Sequence, residues 1–129
     1  MTDAIQGLSA VSIHVRDVPR ARAFYRDALG LKEHAFDPRA NSVVFEIPNS
    51  HVLLSMHIMA EGEGGREPGT VSGVIFRHED PAAACAWIAA HGGTITVEPT
   101  NVQFGEAKFV RAAFADPDGN EFVVSSRKY

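Results

Sequence analysis

The feature that most restricts what this chain can fold into is that it repeats itself. A shift of 63 positions lays the segment VSIHVRDVPRARAFYRDALGL, from Val11, onto the stretch from Val74, within GVIFRHEDPAAACAWIAAHGG, which begins at Gly73. Asp17 falls on Asp80, Phe24 on Trp87, Tyr25 on Ile88 and Gly30 on Gly93. A fixed internal period means one supersecondary unit used more than once. Each copy reads as a strand, an Asp, a helix and a glycine stop. Asp17 and Asp80 are placed to accept hydrogen bonds from free amides of a first helical turn, a cap worth ~1 kcal/mol. Pro19 and Pro81 fall in those first turns, where a missing N–H costs little. Ala21, Phe24, Tyr25, Ala28 and Leu29 recur at three- and four-residue spacing and are expected to face a sheet. Ala84, Trp87, Ile88 and His91 are expected to do the same in the second copy. Gly30 and Gly92-Gly93 supply the left-handed residue that commonly ends a helix.

Three strand-like runs follow each helix. They are 31–36, 43–47 and 52–58 in the first copy, and 94–98, 108–115 and 121–126 in the second. The pattern is βαβββ twice, an α+β fold of two modules with mixed sheets curved around a cavity. The expected boundaries are 1–59 for the first module, 60–69 for a glycine-rich charged linker and 70–129 for the second module, together one domain. The stretch 99–106 reads as a loop between strands. Asp116-Pro117-Asp118-Gly119 reads as a tight turn whose acids serve turn geometry.

Composition narrows the function classes. At 129 residues the chain has the length of one domain. Its formal net charge of -4 gives no basic footprint for nucleic acid or anionic lipid. The single cysteine, Cys85, excludes an intrachain disulfide and suits a reducing compartment. No stretch approaches the ~20 apolar residues of a membrane span. Nothing near Met1 resembles a signal peptide, so a cytoplasmic location is expected.

VRDVPRARAFYRDALGL, its counterpart in the second copy and DPDGNEF near the end together resemble the vicinal oxygen chelate superfamily. That superfamily contains glyoxalase I, bleomycin-resistance proteins, fosfomycin-resistance enzymes and extradiol dioxygenases. The resemblance implies paired βαβββ modules assembled as a homodimer. It also implies a pattern for metal ligands, in the first and last strands of each module. One lies seven residues before each capping Asp, at Ala10 and Gly73 here. Another lies four residues after the turn glycine, at Val123. Aligning SHVLLSM with NEFVVSS puts the fourth at Leu53, or at Leu54 with a slip of one residue. These side chains offer no lone pair to a divalent ion. No metal and no other cofactor is therefore expected.

Strand alternation puts residues two apart on one face. Ser12 and His14 accompany Ala10; His51, Ser55 and His57 accompany Leu53; Ile75 and Arg77 accompany Gly73; Glu121 and Ser125 accompany Val123. The expected ligand-binding set is Ser12, His14, Ser55, His57, Arg77, Glu121 and Ser125, with Phe104 as a lid from its loop. Such a lining suits a small molecule with an apolar body and a few polar groups. His14 is the candidate catalytic acid or base, since imidazole titrates near neutral pH; the alternative is a histidine hydrogen-bonded at a strand end. Arg77 either clamps an anion or pairs with a surface acid such as Glu79. Trp87, Phe24 and Tyr25 are read as core, and Cys85 as a packed thiol.

Two functions compete. One is metal-free binding of a small molecule, as the resemblance to drug-binding relatives implies. The other is a glyoxalase-like lyase or isomerase using His14, or a metal held off-pattern by His14 and His57. A regulatory module is a third possibility with no sequence feature of its own.

Overall fold

The computed structural model describes residues 4–39, 41–57 and 68–128. Its elements run β1 (Ala10–His14), α1 (Val18–Asp27), β2 (Lys32–Asp37), β3 (Ser42–Glu46) and β4 (Leu53–His57) in the first module. The second runs β5 (Val74–Arg77), α2 (Pro81–Ala90), β6 (Thr94–Phe104), β7 (Ala107–Ala115) and β8 (Glu121–Ser125). Most of the expected linker lies outside the described residues; Pro68 and Gly69 lie within them.

The helices start where the capping chemistry requires. Asp17 accepts from the Arg20 amide at 3.0 Å and Asp80 from the Ala83 amide at 3.1 Å. Gly30 and Gly92 then take φ of 68° and 102°, a backbone that side chains with a Cβ resist. Each module forms a four-stranded mixed sheet, ordered β1-β4-β3-β2 and β5-β8-β7-β6. In both, the first strand runs parallel to the last, and the remaining pairs are antiparallel.

One core joins the modules. Ile13, Phe45, Leu54 and Met56 of the first sheet and Phe114, Phe122 and Val124 of the second belong to the same buried cluster as both helices. Tyr25 sits at its centre, with its ring 6.0 Å from Phe45 and 6.1 Å from Phe122. Among the described residues the sheet faces opposite this core stay largely open, although the small side chains Ala113 and Ser125 are buried between their neighbours. Ala10, Ser12 and Arg77 are exposed there, as is Ile75 at 45%.

Two expectations fail. The stretch 99–106 is not a loop: β6 runs through Phe104 and turns at Gly105-Glu106 into β7. Pro99 fits because β6 is an edge strand and its pairing slips between Val97 and Thr100, so no ladder amide is needed there. Trp87 is not core: it is 56% exposed, while α2 buries Pro81, Cys85 and Ile88. Its indole N–H donates to the Asp27 carbonyl at 3.1 Å, and its ring stacks on His91 at 4.0 Å. Cys85 is buried as expected, and burial pushes its thiol pKa up. No helix among the described residues is long and apolar enough to cross a membrane.

Candidate functional site

The turn after β7 does more than reverse the chain. Asp116 Oδ1 accepts from the amides of Asp118 at 2.9 Å and Asn120 at 2.8 Å, which closes the turn. Its Oδ2 accepts from Asn120 Nδ2 at 3.0 Å and from the Tyr25 hydroxyl at 2.7 Å, across the two modules. Asp118, its side chain fully buried, accepts from the Arg16 amide at 3.0 Å and from Arg20 Nη2 at 2.8 Å. Asn120 donates through Nδ2 to the His14 carbonyl at 3.1 Å. Gly69 packs so closely that a Cβ there would lie 2.0 Å from the Asp118 carbonyl oxygen. The DPDGN segment is thus a latch that holds the end of β1, and His14 with it, against the second module. Burial raises the Tyr25 phenol well above its ordinary pKa, and the Asp116 charge adds to the shift.

Beyond the latch the open faces read row by row across the strands. On the first sheet His14 lies opposite His57, Ser12 opposite Ser55 and Ala10 opposite Leu53. The two imidazoles meet edge to face, 4.5 Å between centroids. Both rings are half-buried at the ends of their strands.

On the second sheet Ile75 lies opposite Val123, and Arg77 opposite Ser125. This register revises the fourth metal position. Ser12 and Ile75 are repeat equivalents, so their partners Ser55 and Val123 are equivalent too. The fourth place belongs to Ser55, two residues beyond Leu53. The set is then Ala10, Gly73, Val123 and Ser55. One neutral hydroxyl among hydrogen and hydrocarbon does not suit a divalent ion that needs imidazole, carboxylate or thiolate donors. Among the described residues, no group of three or more His, Cys, Asp or Glu side chains is arranged to hold one.

The other expected site residues distribute unevenly. Ser12 is exposed, and Ser55 and Glu121 are half-buried on the open faces. Ser125 is only 2% exposed, and its Oγ accepts from the Arg127 amide at 3.1 Å. Arg77 makes no ion pair with Glu79 or any other acid among the described residues. Phe104, at the end of β6, is 69% exposed, and the Arg127 guanidinium lies 5.2 Å from its ring centroid. Phe104 therefore stands in a paired strand and not in the loop expected to carry it. His51 and His78 are exposed, and His78 Nδ1 accepts from the Asp80 amide at 2.9 Å. A surface groove of about 300 Å³ is lined by Asn101, Val102, Gln103, Lys108 and Phe109, none of them in the expected set.

Sequence reasoning missed Arg16 and Asn120 of the latch. The signal was present: DPDGN carries more polar groups than a turn consumes. It also missed Arg111, the charged residue on β7 that lies opposite Ser125 on the same row as Arg77.

Comparison with known proteins identifies a family and several similar folds. The sequence profile of the glyoxalase/bleomycin resistance protein/dioxygenase superfamily matches residues 7–124. TnmS3, an antibiotic binding protein from Streptomyces sp. CB03234, has a similar fold, with a TM-score of 0.78 at 24% identity over 95% of this chain and 97% of its own. A superfamily member from Sphaerobacter thermophilus DSM 20745 gives 0.77 at 27% identity over 94% and 97%. The V. Cholerae integron cassette protein VCH_CASS1 gives 0.72 at 24% identity over 97% and 98%. No curated protein matches the sequence.

Proposed function

Since the chain belongs to the glyoxalase/bleomycin resistance protein/dioxygenase superfamily, we propose that it is a binding member that holds a small molecule against its open sheet faces without a metal. The observation that carries this reading is the donor set at the four ligand places: Ala10, Gly73, Val123 and Ser55. An antibiotic-binding protein of similar fold supports the same direction.

The open faces expose too much apolar surface for one chain to close alone, with Ile75 at 45% and Val97 at 50%. A second copy of the chain covers them and completes the hollow around the ligand. The two βαβββ modules, 1–59 and 70–129, act as one domain in that assembly. The net charge of -4 favours neither nucleic acid nor an anionic membrane as partner.

The test is calorimetric titration of metal-stripped protein with a panel of aromatic antibiotics. Saturable heat with at least one of them, unchanged by added chelator, is the expected result. No heat with any of them overturns the antibiotic-binding version of the reading. A stoichiometric divalent ion in protein purified without chelator overturns the metal-free part. Light scattering reads the assembly directly: a dimer mass is expected, and a monomer mass at micromolar concentration overturns the shared hollow.

A second reading has one specific observation in its favour, the edge-to-face contact of His14 with His57 at 4.5 Å. Two imidazoles side by side supply a general acid and a general base, which is what a lyase or isomerase needs. In that reading His14→Ala abolishes turnover of a 2-oxoaldehyde hemithioacetal. Unchanged turnover removes His14 from the chemistry.

A further inference from the structure

The second sheet carries a row that spans all four of its strands. Arg77 on β5 is opposite Ser125 on β8, which is opposite Arg111 on β7, which is opposite Thr100 on β6. Residues opposite one another in a sheet share a face, here the open one, since Ala112, Phe114 and Val124 take the core side. Two guanidiniums therefore stand one strand apart, with their Cα atoms roughly 10 Å from each other. Ser125 between them is a short, buried floor. Its Oγ accepts from the Arg127 amide, which leaves the hydroxyl hydrogen to donate.

The arginines of this row differ from those of the first module's α1 and its entry. Arg16, Arg20, Arg22 and Arg26 each meet a carboxylate. Arg77 and Arg111 are exposed and meet none among the described residues. In a protein with a net charge of -4, two such arginines on one row, a strand apart, form a local positive field. A guanidinium is also the side chain best matched to a planar or tetrahedral oxyanion, through paired N–H donors.

We propose that Arg77, Ser125 and Arg111 form an oxyanion subsite, which receives the carboxylate or phosphate group of the bound small molecule. The proposal deepens the binding reading above and rests on it. It narrows the ligand to an organic anion: an apolar body lies over Ile75 and Val123, and its charged end lies on the arginine row.

The test follows the arginine side-chain Nε–Hε signals by NMR in the full chain at constant ionic strength. Inorganic phosphate and benzoate are titrated separately as probes for the two oxyanions. Saturable shifts of Arg77 and Arg111 together, absent at Arg39, are expected for one probe or both, and the arm that saturates first names the preferred oxyanion. Arg77→Gln and Arg111→Gln each weaken binding at least tenfold; Arg77→Lys, which keeps the charge but loses the paired donors, weakens it less. Melting temperatures of these exposed-site variants verify folding. Linear shifts that Arg39 shares, or variants that bind as tightly as the parent, overturn the subsite. If a neutral aromatic compound binds while neither oxyanion does, the subsite falls and the binding reading stands. If an oxyanion binds while the whole antibiotic panel is silent, the subsite stands and antibiotics are excluded as the ligand class.

Discussion

Laid over one another, the two modules keep the scaffold and exchange the chemistry on its open face. The end row of the first sheet is His14, His57 and Ser42; its counterpart on the second is Arg77, Ser125 and Arg111. The next row is Ser12, Ser55 and Val44 against Ile75, Val123 and Ala113. One sheet thus presents imidazoles and hydroxyls, and the other permanent cations beside an apolar floor. The core side shows no such exchange, because it must pack: Ile13, Leu54 and Met56 answer to Phe76, Phe122 and Val124. Burial fixes one face of a strand to hydrocarbon and leaves the other free to diverge. A ligand lying between two such faces meets different chemistry at its two sides.

Whether the modules are halves of a single folding unit is tested most heavily in the shared core. Phe24 of α1 is 4% exposed and packs edge to face on Tyr25 at 5.3 Å. A Cβ added at Gly93 of the second module would lie 3.4 Å from the Phe24 ring. Phe24→Ala should cost about 3–5 kcal/mol in urea unfolding and lower one transition common to both modules. Two separate transitions would show that the modules are independent. The latch comes next. Asp116→Ala strips the acceptor from the Tyr25 hydroxyl, the Asn120 amide group and two backbone amides. About 3 kcal/mol should be lost. A loss below 1 kcal/mol would mean that water replaces the carboxylate at no cost.

A smaller effect has a pH signature. The folded state raises the Tyr25 phenol above its ordinary value of 10.0, mainly by burial. The folded protein then holds that proton to higher pH than the unfolded chain does. Stability from this group is complete below pH 10 and declines as pH rises above it. Tyr25→Phe should cost about 1–2 kcal/mol at pH 8 through the lost hydrogen bond. The same variant should show a shallower decline than the parent above pH 10. Parallel curves for the two proteins would place the alkaline sensitivity elsewhere.

The repeat, the caps and the strand alternation were legible because each depends on residues close in sequence. Asp17 with Pro19, and Asp80 with Pro81, announce helix starts wherever they occur. What depends on register was not legible. From β1 to β5 the offset is 63, but from β4 to β8 it is 68, as the pairs Ser12–Ser55 and Ile75–Val123 show. Matching SHVLLSM to NEFVVSS by letter therefore missed Ser55 by two residues. The hairpin of β6 and β7 was hidden because Pro99, Asn101 and Gly105 are loop formers; irregular edge pairing lets Pro99 stay in the strand, and Gly105 falls only in the two-residue turn. The latch was hidden for a different reason: Arg16 and Asp118 are 102 residues apart.

The helix faces give the sharpest case, and the smallest predicted effect. Phe24 and Trp87 are repeat equivalents, yet one is buried and the other is 56% exposed. In α1 arginines mark the wet side, so the apolar stripe is unambiguous. In α2, PAAACAWIAA is apolar all round, and no polar residue says which side faces the sheet. Packing then selects Cys85 and Ile88, and Trp87 rotates outward to stack on His91 and donate to the Asp27 carbonyl. Trp87→Ala should cost less than about 1 kcal/mol, the worth of one exposed hydrogen bond and a partial ring contact. Its fluorescence in the parent should be readily quenched by iodide, as befits an exposed indole. A cost near that of Phe24→Ala, or an emission shielded from iodide, would mean that the two helices pack alike and that the asymmetry between the modules stops at their open faces.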